Sequence, residues 1–145
     1  MFVPKLTREV YGQAKQDVVR VPIKAVQYMK ENGIGGPTFT DPNMWGGYLI
    51  WAMPSNPVYI DGRIDMYGDQ FVQEYINIAR GTVAWKEPFA RHQVKNVLVR
   101  PKSHLARSLQ ESGEWQQLYQ DEMTVVFSRR SDPVIAHASS QWSKN

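Results

Sequence analysis

The chain has 145 residues, of which 42% are hydrophobic and 12% aromatic, so it belongs to the globular rather than the disordered class and suits a single domain. Its 17 basic and 14 acidic residues give a net charge of +3 without any basic stripe or arm, which argues against a nucleic-acid partner. Cysteine is absent, which excludes disulfides, thiolate nucleophiles and cysteine-ligated metals.

The first half of the chain alternates between predicted helices and strands. Residues 1–20 are polar and aperiodic, which predicts an irregular N-terminal arm. An apolar stripe after Pro22 predicts a helix that ends at Asn32-Gly33, and a short strand follows at residues 38–40. Asp41-Pro42-Asn43 predicts the start of a second helix, whose buried stripe is Trp45, Tyr48, Leu49 and Ala52. Residues 57–60 are continuously apolar, which is typical of a central strand covered on both faces.

The second half begins with a predicted helix from about Asp69 to Gly81, followed by a shorter helix around residues 85–92. Residues 94–99 give the clearest strand pattern, and Ser103 then caps a fifth helix. Residues 115–119 and 123–127 predict two strands of a hairpin. Residues 131–145 predict a polar tail.

This order predicts one α/β domain over residues 21–130. We expect three layers, with a mostly parallel sheet flanked by helices and closed by a C-terminal antiparallel hairpin. Val58, Ile60, Val97 and Val99 are the expected residues of central strands. The fold is Rossmann-like only in a loose sense, because the usual first strand and its phosphate-binding turn are missing.

Most patterns that could indicate catalysis are incomplete. The glycines of residues 32–36 follow a helix instead of opening one, so they predict a turn and not a phosphate loop. His92, His104 and His137 lie on separate predicted elements without metal-ligand spacing, and no Gly-x-Ser-x-Gly elbow is present. We therefore expect no bound metal, no cofactor and no catalytic residue. The longest apolar run, residues 49–53, is too short to span a membrane, so the isolated chain is expected to be soluble.

The most suggestive segment is Asp61-Gly62-Arg63-Ile64-Asp65-Met66-Tyr67, which follows the predicted strand at residues 57–60. In open α/β sheets, ligands bind beyond the carboxyl ends of strands, so a small polar ligand could bind here. The structural alternative is that Arg63 pairs with Asp61 or Asp65 and holds the loop against the Trp45-Gly46-Gly47-Tyr48 helix. In that case the Arg63 guanidinium should be largely covered by this helix.

A family resemblance joins these segments. The run Asp41-Pro42-Asn43-Met44-Trp45-Gly46-Gly47-Tyr48-Leu49-Ile50-Trp51, the run from Pro57 to Tyr67, and the closing Trp115, Tyr119 and Asp121 form one combined motif. It resembles the C-terminal soluble region of bacterial polytopic membrane proteins related to GT-C glycosyltransferases. The resemblance covers roughly residues 20–130.

The resemblance implies that a multi-helix membrane portion precedes this region and that the domain lies on the extracytoplasmic face. The catalytic acid of such transferases lies in N-terminal loops, so the domain alone is expected to be inactive and to support acceptor recognition, assembly or stability of the membrane part. A sugar or glycan acceptor is then a possible ligand. Two alternatives remain open: an independent ligand-binding module or enzyme that uses Asp61, Arg63 and Asp65, and an interaction domain that docks through exposed aromatic residues.

Overall fold

The computed structural model describes residues 20–61, 63, 66–81 and 83–130. The chain is an α/β domain, as the sequence predicts. Apart from Arg20, the expected arm and the polar tail lie outside the described residues. The elements are, in chain order, α1 (Ile23–Glu31), β1 (Thr38–Asp41), α2 (Met44–Ala52), α3 (Asp69–Ala79), a 3₁₀ helix (Val83–Trp85), α4 (Lys86–Arg91), β2 (Asn96–Val99), α5 (His104–Ser112), β3 (Trp115–Gln120) and β4 (Val125–Arg129).

Several helix ends follow the local signals in the sequence. The hydroxyl of Ser103 accepts a hydrogen bond from the backbone N–H of Ala106 at 3.1 Å, so the predicted cap of α5 is confirmed. Gly113 ends the same helix in the left-handed conformation at φ 72°. Gly33, beyond α1, has φ 65°, which a glycine adopts without steric cost.

The sheet is mixed, with the strand order β1-β2-β4-β3. β1 and β2 are parallel, while β4 is antiparallel to both β2 and β3. The predicted hairpin of β3 and β4 is confirmed. The prediction of a mostly parallel sheet is wrong, because two of the three strand pairs are antiparallel.

The expected central strand at residues 57–60 lies instead at the outer side of β1. It joins the sheet through one parallel bridge between Thr38 and Val58. The Thr38 N–H donates to the Pro57 carbonyl at 3.0 Å, and the Tyr59 N–H donates to the Thr38 carbonyl at 2.8 Å. On the side that faces β1, Pro57 has no N–H to donate, which ends the ladder at that residue.

Buried apolar residues form two clusters, and neighbouring residues of one strand divide between them. Val97 and Val99 of β2 belong to the first cluster, which also holds residues of α3, the 3₁₀ helix, α4 and α5. Leu98 belongs to the second cluster, with residues of α1 and α2. Because successive side chains of a strand point to opposite faces, helices pack on both faces of the sheet.

Candidate functional site

The two adjacent glycines of α2 have different surroundings. A Cβ atom on Gly46 would overlap the Ile60 carbonyl oxygen and lie 3.1 Å from the Cα of Asp61, so α2 packs directly on the backbone there. A Cβ atom on Gly47 would have no atom of the described residues within 4 Å. Of these two glycines, Gly46 is therefore the one that close backbone packing requires.

The start of α2 is tied to the same backbone. Asn43 occupies the N-cap position, but its side chain makes no capping hydrogen bond. Its amide instead donates to the Asp61 carbonyl at 3.3 Å. The predicted start of α2 at Asn43 is confirmed. The Asn43 side chain does not cap the helix but joins α2 to the loop after residues 57–60.

Asp61 is the buried anchor of that loop. Its side chain is only 3% exposed and accepts hydrogen bonds from the Arg63 backbone N–H at 2.8 Å, from Nε at 3.1 and 3.2 Å, and from Nη2 at 2.7 Å. The hydrogen bonds from the Arg63 side chain hold the pKa of the Asp61 carboxyl below its usual range. The predicted pairing of Arg63 with Asp61 is present. Gly62 and Asp65 lie outside the described residues.

Arg63 is not covered by α2, so the expectation that this helix largely covers its guanidinium is wrong. Its side chain is 64% exposed. The reason is geometric: Arg63 turns back on the carboxylate two residues earlier, so the pairing closes a local turn and leaves the outer edge of the guanidinium to solvent. The pair orders the loop without fastening it to Trp45-Gly46-Gly47-Tyr48.

Tyr67 connects this loop to a cavity of about 330 Å³. Its hydroxyl lies near the Asp61 carboxyl and makes a small contribution to lowering the pKa of that group. Its ring lines the cavity. Among the described residues, the lining consists of Pro37, Thr38, Pro57, Val58, Tyr59, Tyr67, Phe71, His92 and Val94. The cavity therefore lies along the outer edge of the sheet, beside the bridge between Thr38 and Val58.

Aromatic rings form one side of this cavity. Phe71 is stacked between Tyr59, at 5.1 Å between ring centroids, and Tyr67, at 5.4 Å. The His92 ring meets the Tyr59 ring edge to face at 5.1 Å. Tyr59 is buried, whereas Tyr67 and Phe71 are half-buried and leave ring surface uncovered. We refer to Tyr59, Tyr67, Phe71 and His92 as the aromatic cleft.

The charged groups behind the cleft neutralise one another. Glu74 accepts hydrogen bonds from the Tyr59 hydroxyl at 2.9 Å and from Nη2 of Arg91 at 2.6 and 2.7 Å. Burial acts to raise the pKa of Glu74, but the hydrogen bonds from Arg91 and Tyr59 outweigh it and leave that pKa below its usual range. Burial and the hydrogen bond to Glu74 raise the pKa of Tyr59, so its hydroxyl stays protonated.

A second polar group, which the sequence did not indicate, lies at the carboxyl ends of β1 and β2. The Tyr75 hydroxyl donates to the Thr40 carbonyl at 2.8 Å and lies 3.4 Å from the carboxylate of Asp41. Burial raises the pKa of Asp41, although the positive charge of Arg100 opposes this. Asp41 directly follows the strand predicted at residues 38–40, which is a sequence signal for such a group. Tyr75 and Arg100, however, are too distant in sequence to be recognised as neighbours of Asp41.

The outer face of α2 is apolar although it is not covered. Trp45 and Leu49 are buried under the helix, while Trp51 is 78%, Met44 42% and Ile50 41% exposed. Half-buried Tyr48 contacts Trp51, with 5.9 Å between the ring centroids. We refer to Met44, Ile50 and Trp51 as the α2 outer face. Within the part of the chain that the structure describes, no helix combines the length and apolar character needed to cross a bilayer.

The closing Trp115, Tyr119 and Asp121 are held by structural interactions. Asp121 accepts hydrogen bonds from the Tyr119 hydroxyl at 2.7 Å and from the backbone N–H groups of Met123 and Thr124 at 2.7 and 2.8 Å, so its carboxylate organises the turn. Trp115 is buried, with the Arg129 guanidinium 4.7 Å from its ring centroid. This part of the motif stabilises the hairpin.

Comparison with known proteins adds no relative. No family model, curated protein or solved structure matches this chain. The site must therefore be interpreted from its own geometry.

No cluster of three or more histidine or acidic side chains suited to a metal occurs among residues 20–61, 63, 66–81 and 83–130. His92 and His104 lie on different elements, and His137 lies outside the described residues. The sequence indicated Asp61, Arg63 and Tyr67 but missed the aromatic cleft, in which the distant His92 meets Tyr59 and Phe71.

Proposed function

We propose that this chain is the soluble, extracytoplasmic accessory domain of a larger membrane protein related to GT-C glycosyltransferases. In this proposal it has no catalytic activity alone, and it supports acceptor recognition or the stability of the membrane-embedded part. The combined sequence motif suggests the family. The observation that carries the proposal further is the α2 outer face.

A helix that is apolar all round is normally covered on all sides, because exposed apolar surface is unfavourable in water. α2 has this composition, but the described residues cover only its inner face. The indole N–H of Trp45 donates to the Arg20 carbonyl at 3.0 Å, which places Arg20 beside the first turn of α2. We propose that a membrane-embedded part, joined to this domain on the N-terminal side of Arg20, covers the uncovered face.

The sheet supports the finer architecture that we propose, a three-layer domain loosely related to doubly wound folds. With residues 57–60 counted as an edge strand, the spatial order is 57–60, β1, β2, β4, β3. Three neighbouring parallel segments then end in Asp61, Asp41 and Arg100 at one edge. In doubly wound sheets this is the edge at which ligands bind.

The proposal is tested by fractionating cells that express the native gene, with an antibody raised against this domain. We expect the antigen in the membrane fraction, in a product larger than 16.7 kDa. We also expect protease added outside spheroplasts to digest it, while a cytoplasmic marker stays intact. A 16.7 kDa product in the soluble fraction would contradict the proposal.

A second candidate is an independent ligand-binding module that uses the crevice of Asp61, Arg63 and Asp65. The observation that favours it is the position of Tyr67, which contacts Asp61 and lines the cavity. The two candidates differ in what the isolated chain does. A binding module recognises a small ligand without any membrane part, whereas docking through the α2 outer face requires one.

A further inference from the structure

We propose that the aromatic cleft binds one neutral pyranose ring of a glycan. This gives the second candidate a ligand class, and it does not depend on docking through the α2 outer face. The cavity of about 330 Å³ is at the lower end of the range for small-molecule sites, roughly 300–1,000 Å³. It therefore suits a ligand of about one ring rather than a dinucleotide or a long chain.

The cleft walls provide apolar ring surface. Tyr59 is packed in the core. Phe71 stacks on Tyr59, Tyr67 stacks on Phe71, and both outer rings stay half-buried. A pyranose ring presents C–H groups on a face and hydroxyl groups around its rim. Its C–H face packs against aromatic surface, whose electron-rich π-system attracts such weakly positive hydrogens. The uncovered parts of Tyr67 and Phe71 provide this surface.

Neutral polar groups border the same cavity. Pro57 and Tyr59 direct their backbone groups to Thr38, so the intervening Val58 directs its N–H and C=O away from β1. The His92 side chain is 39% exposed and adds an imidazole. These groups offer both donors and acceptors to the ring hydroxyls of a sugar.

The charges around the cleft favour a neutral ligand. Two carboxylates contact lining side chains, Glu74 through Tyr59 and Asp61 through Tyr67, and each is paired with an arginine. None of the described residues that line the cavity is a lysine or an arginine, so they offer a phosphate or carboxylate no permanent positive charge.

The edge strand argues against an extended peptide as the occupant. Peptides that add to a sheet edge form a ladder of backbone hydrogen bonds over several residues. Here Pro57 and Tyr59 direct their backbone groups to β1, and the Ile60 carbonyl on the outer edge is covered by Gly46. Only Val58 can contribute both a donor and an acceptor, which is sufficient for hydroxyl groups but not for a strand.

The test is a titration of the isolated chain, followed by amide NMR, with methyl glucopyranoside, methyl mannopyranoside and methyl galactopyranoside. Benzyl alcohol serves as an aromatic comparator. We expect saturable shifts centred on Tyr67, Phe71 and His92 with at least one glycoside, at a Kd of about 1 mM. Absence of saturable shifts with every glycoside, shifts centred elsewhere, or tighter binding of benzyl alcohol would overturn the proposal.

Two variants assign the binding to the cleft. Tyr67→Ala and His92→Ala should each weaken glycoside binding by about tenfold or more, while Trp51→Ala, which removes an exposed aromatic ring on α2, should leave it unchanged. His92 has an exposed side chain, so its variant keeps the test decisive if Tyr67→Ala fails to fold. Equal losses in the His92 and Trp51 variants would refute the assignment. Failure of glycoside binding with membrane association intact would refute the cleft proposal alone.

Discussion

Two neighbouring glycines of α2 allow a matched test of how this helix packs. Alanine at a helix interior position is favoured over glycine by about 1 kcal/mol. At Gly47 no atom of the described residues lies within 4 Å of the new methyl group, so Gly47→Ala should stabilise the domain by up to about 1 kcal/mol. At Gly46 the same methyl group meets the Ile60 carbonyl, which belongs to buried backbone and cannot turn away as a side chain would.

Overpacking of this kind costs about 1–3 kcal/mol and occasionally more, which exceeds the gain in helix propensity. We therefore expect Gly46→Ala to destabilise the domain by about 2 kcal/mol and the two variants to differ by about 3 kcal/mol. The assay is urea unfolding followed by tryptophan fluorescence. Equal unfolding midpoints for Gly46→Ala and Gly47→Ala would refute the packing of α2 on the Ile60 backbone.

Three further predictions concern the ion pair, the hairpin and the core. Arg63→Ala should destabilise the domain at pH 7 by leaving Asp61 without its partner. Pairing with Arg63 lowers the pKa of Asp61, so the ion pair contributes to the stability of the fold at pH values above the unfolded pKa of about 3.9. That contribution is lost as the pH falls through the lower pKa of the folded state, so the unfolding midpoints of variant and wild type should converge in acid. A difference in midpoint that does not change with pH would argue against the pair. Asp121→Ala should cost about 1–3 kcal/mol because turn N–H groups lose their acceptor, and an unchanged midpoint in thermal unfolding would refute that role. Leu98→Ala and Ile60→Ala should each cost about 2–5 kcal/mol in denaturant unfolding, since both side chains are fully buried, whereas midpoints like that of the wild type would place them outside the core.

The elements were largely predictable because their signals are local. The start of α2 at Asp41-Pro42-Asn43, the Ser103 cap and the hairpin each depend on residues within a few positions of one another. The sheet was harder to predict. Residues 57–60 have the continuous apolar character of a central strand, but the Ile60 side chain is buried among residues of α3, α4 and α5, and α2, not a further strand, covers its carbonyl. Apolar runs report burial and do not identify the neighbour that causes it.

The candidate site was predictable only in part for the same reason. Asp61 and Arg63 lie two residues apart, so their pairing follows from the sequence. Tyr67, Phe71 and His92 meet only after α3 and α4 have packed on the sheet, and sequence periodicity does not indicate that meeting. The exposure of Arg63 was also not predictable, because it depends on the direction of the loop relative to α2.

The most direct test of the proposed function is thiol labelling from outside the cell. The chain has no cysteine, so one introduced residue reports its own position. Ile50→Cys reports the α2 outer face, and Gln73→Cys reports an exposed position on α3, which packs on the other face of the sheet. An impermeant maleimide is added to spheroplasts that carry the native membrane-bound product, with any cysteines elsewhere in it replaced, and to the isolated chain.

We expect the probe to label both positions in the isolated chain. In spheroplasts we expect rapid labelling at position 73 and protection at position 50. This result would place the domain outside the membrane with the α2 outer face covered. Equal labelling of both positions in spheroplasts would contradict the docking, and labelling of neither position until the membrane is permeabilised would contradict the extracytoplasmic location.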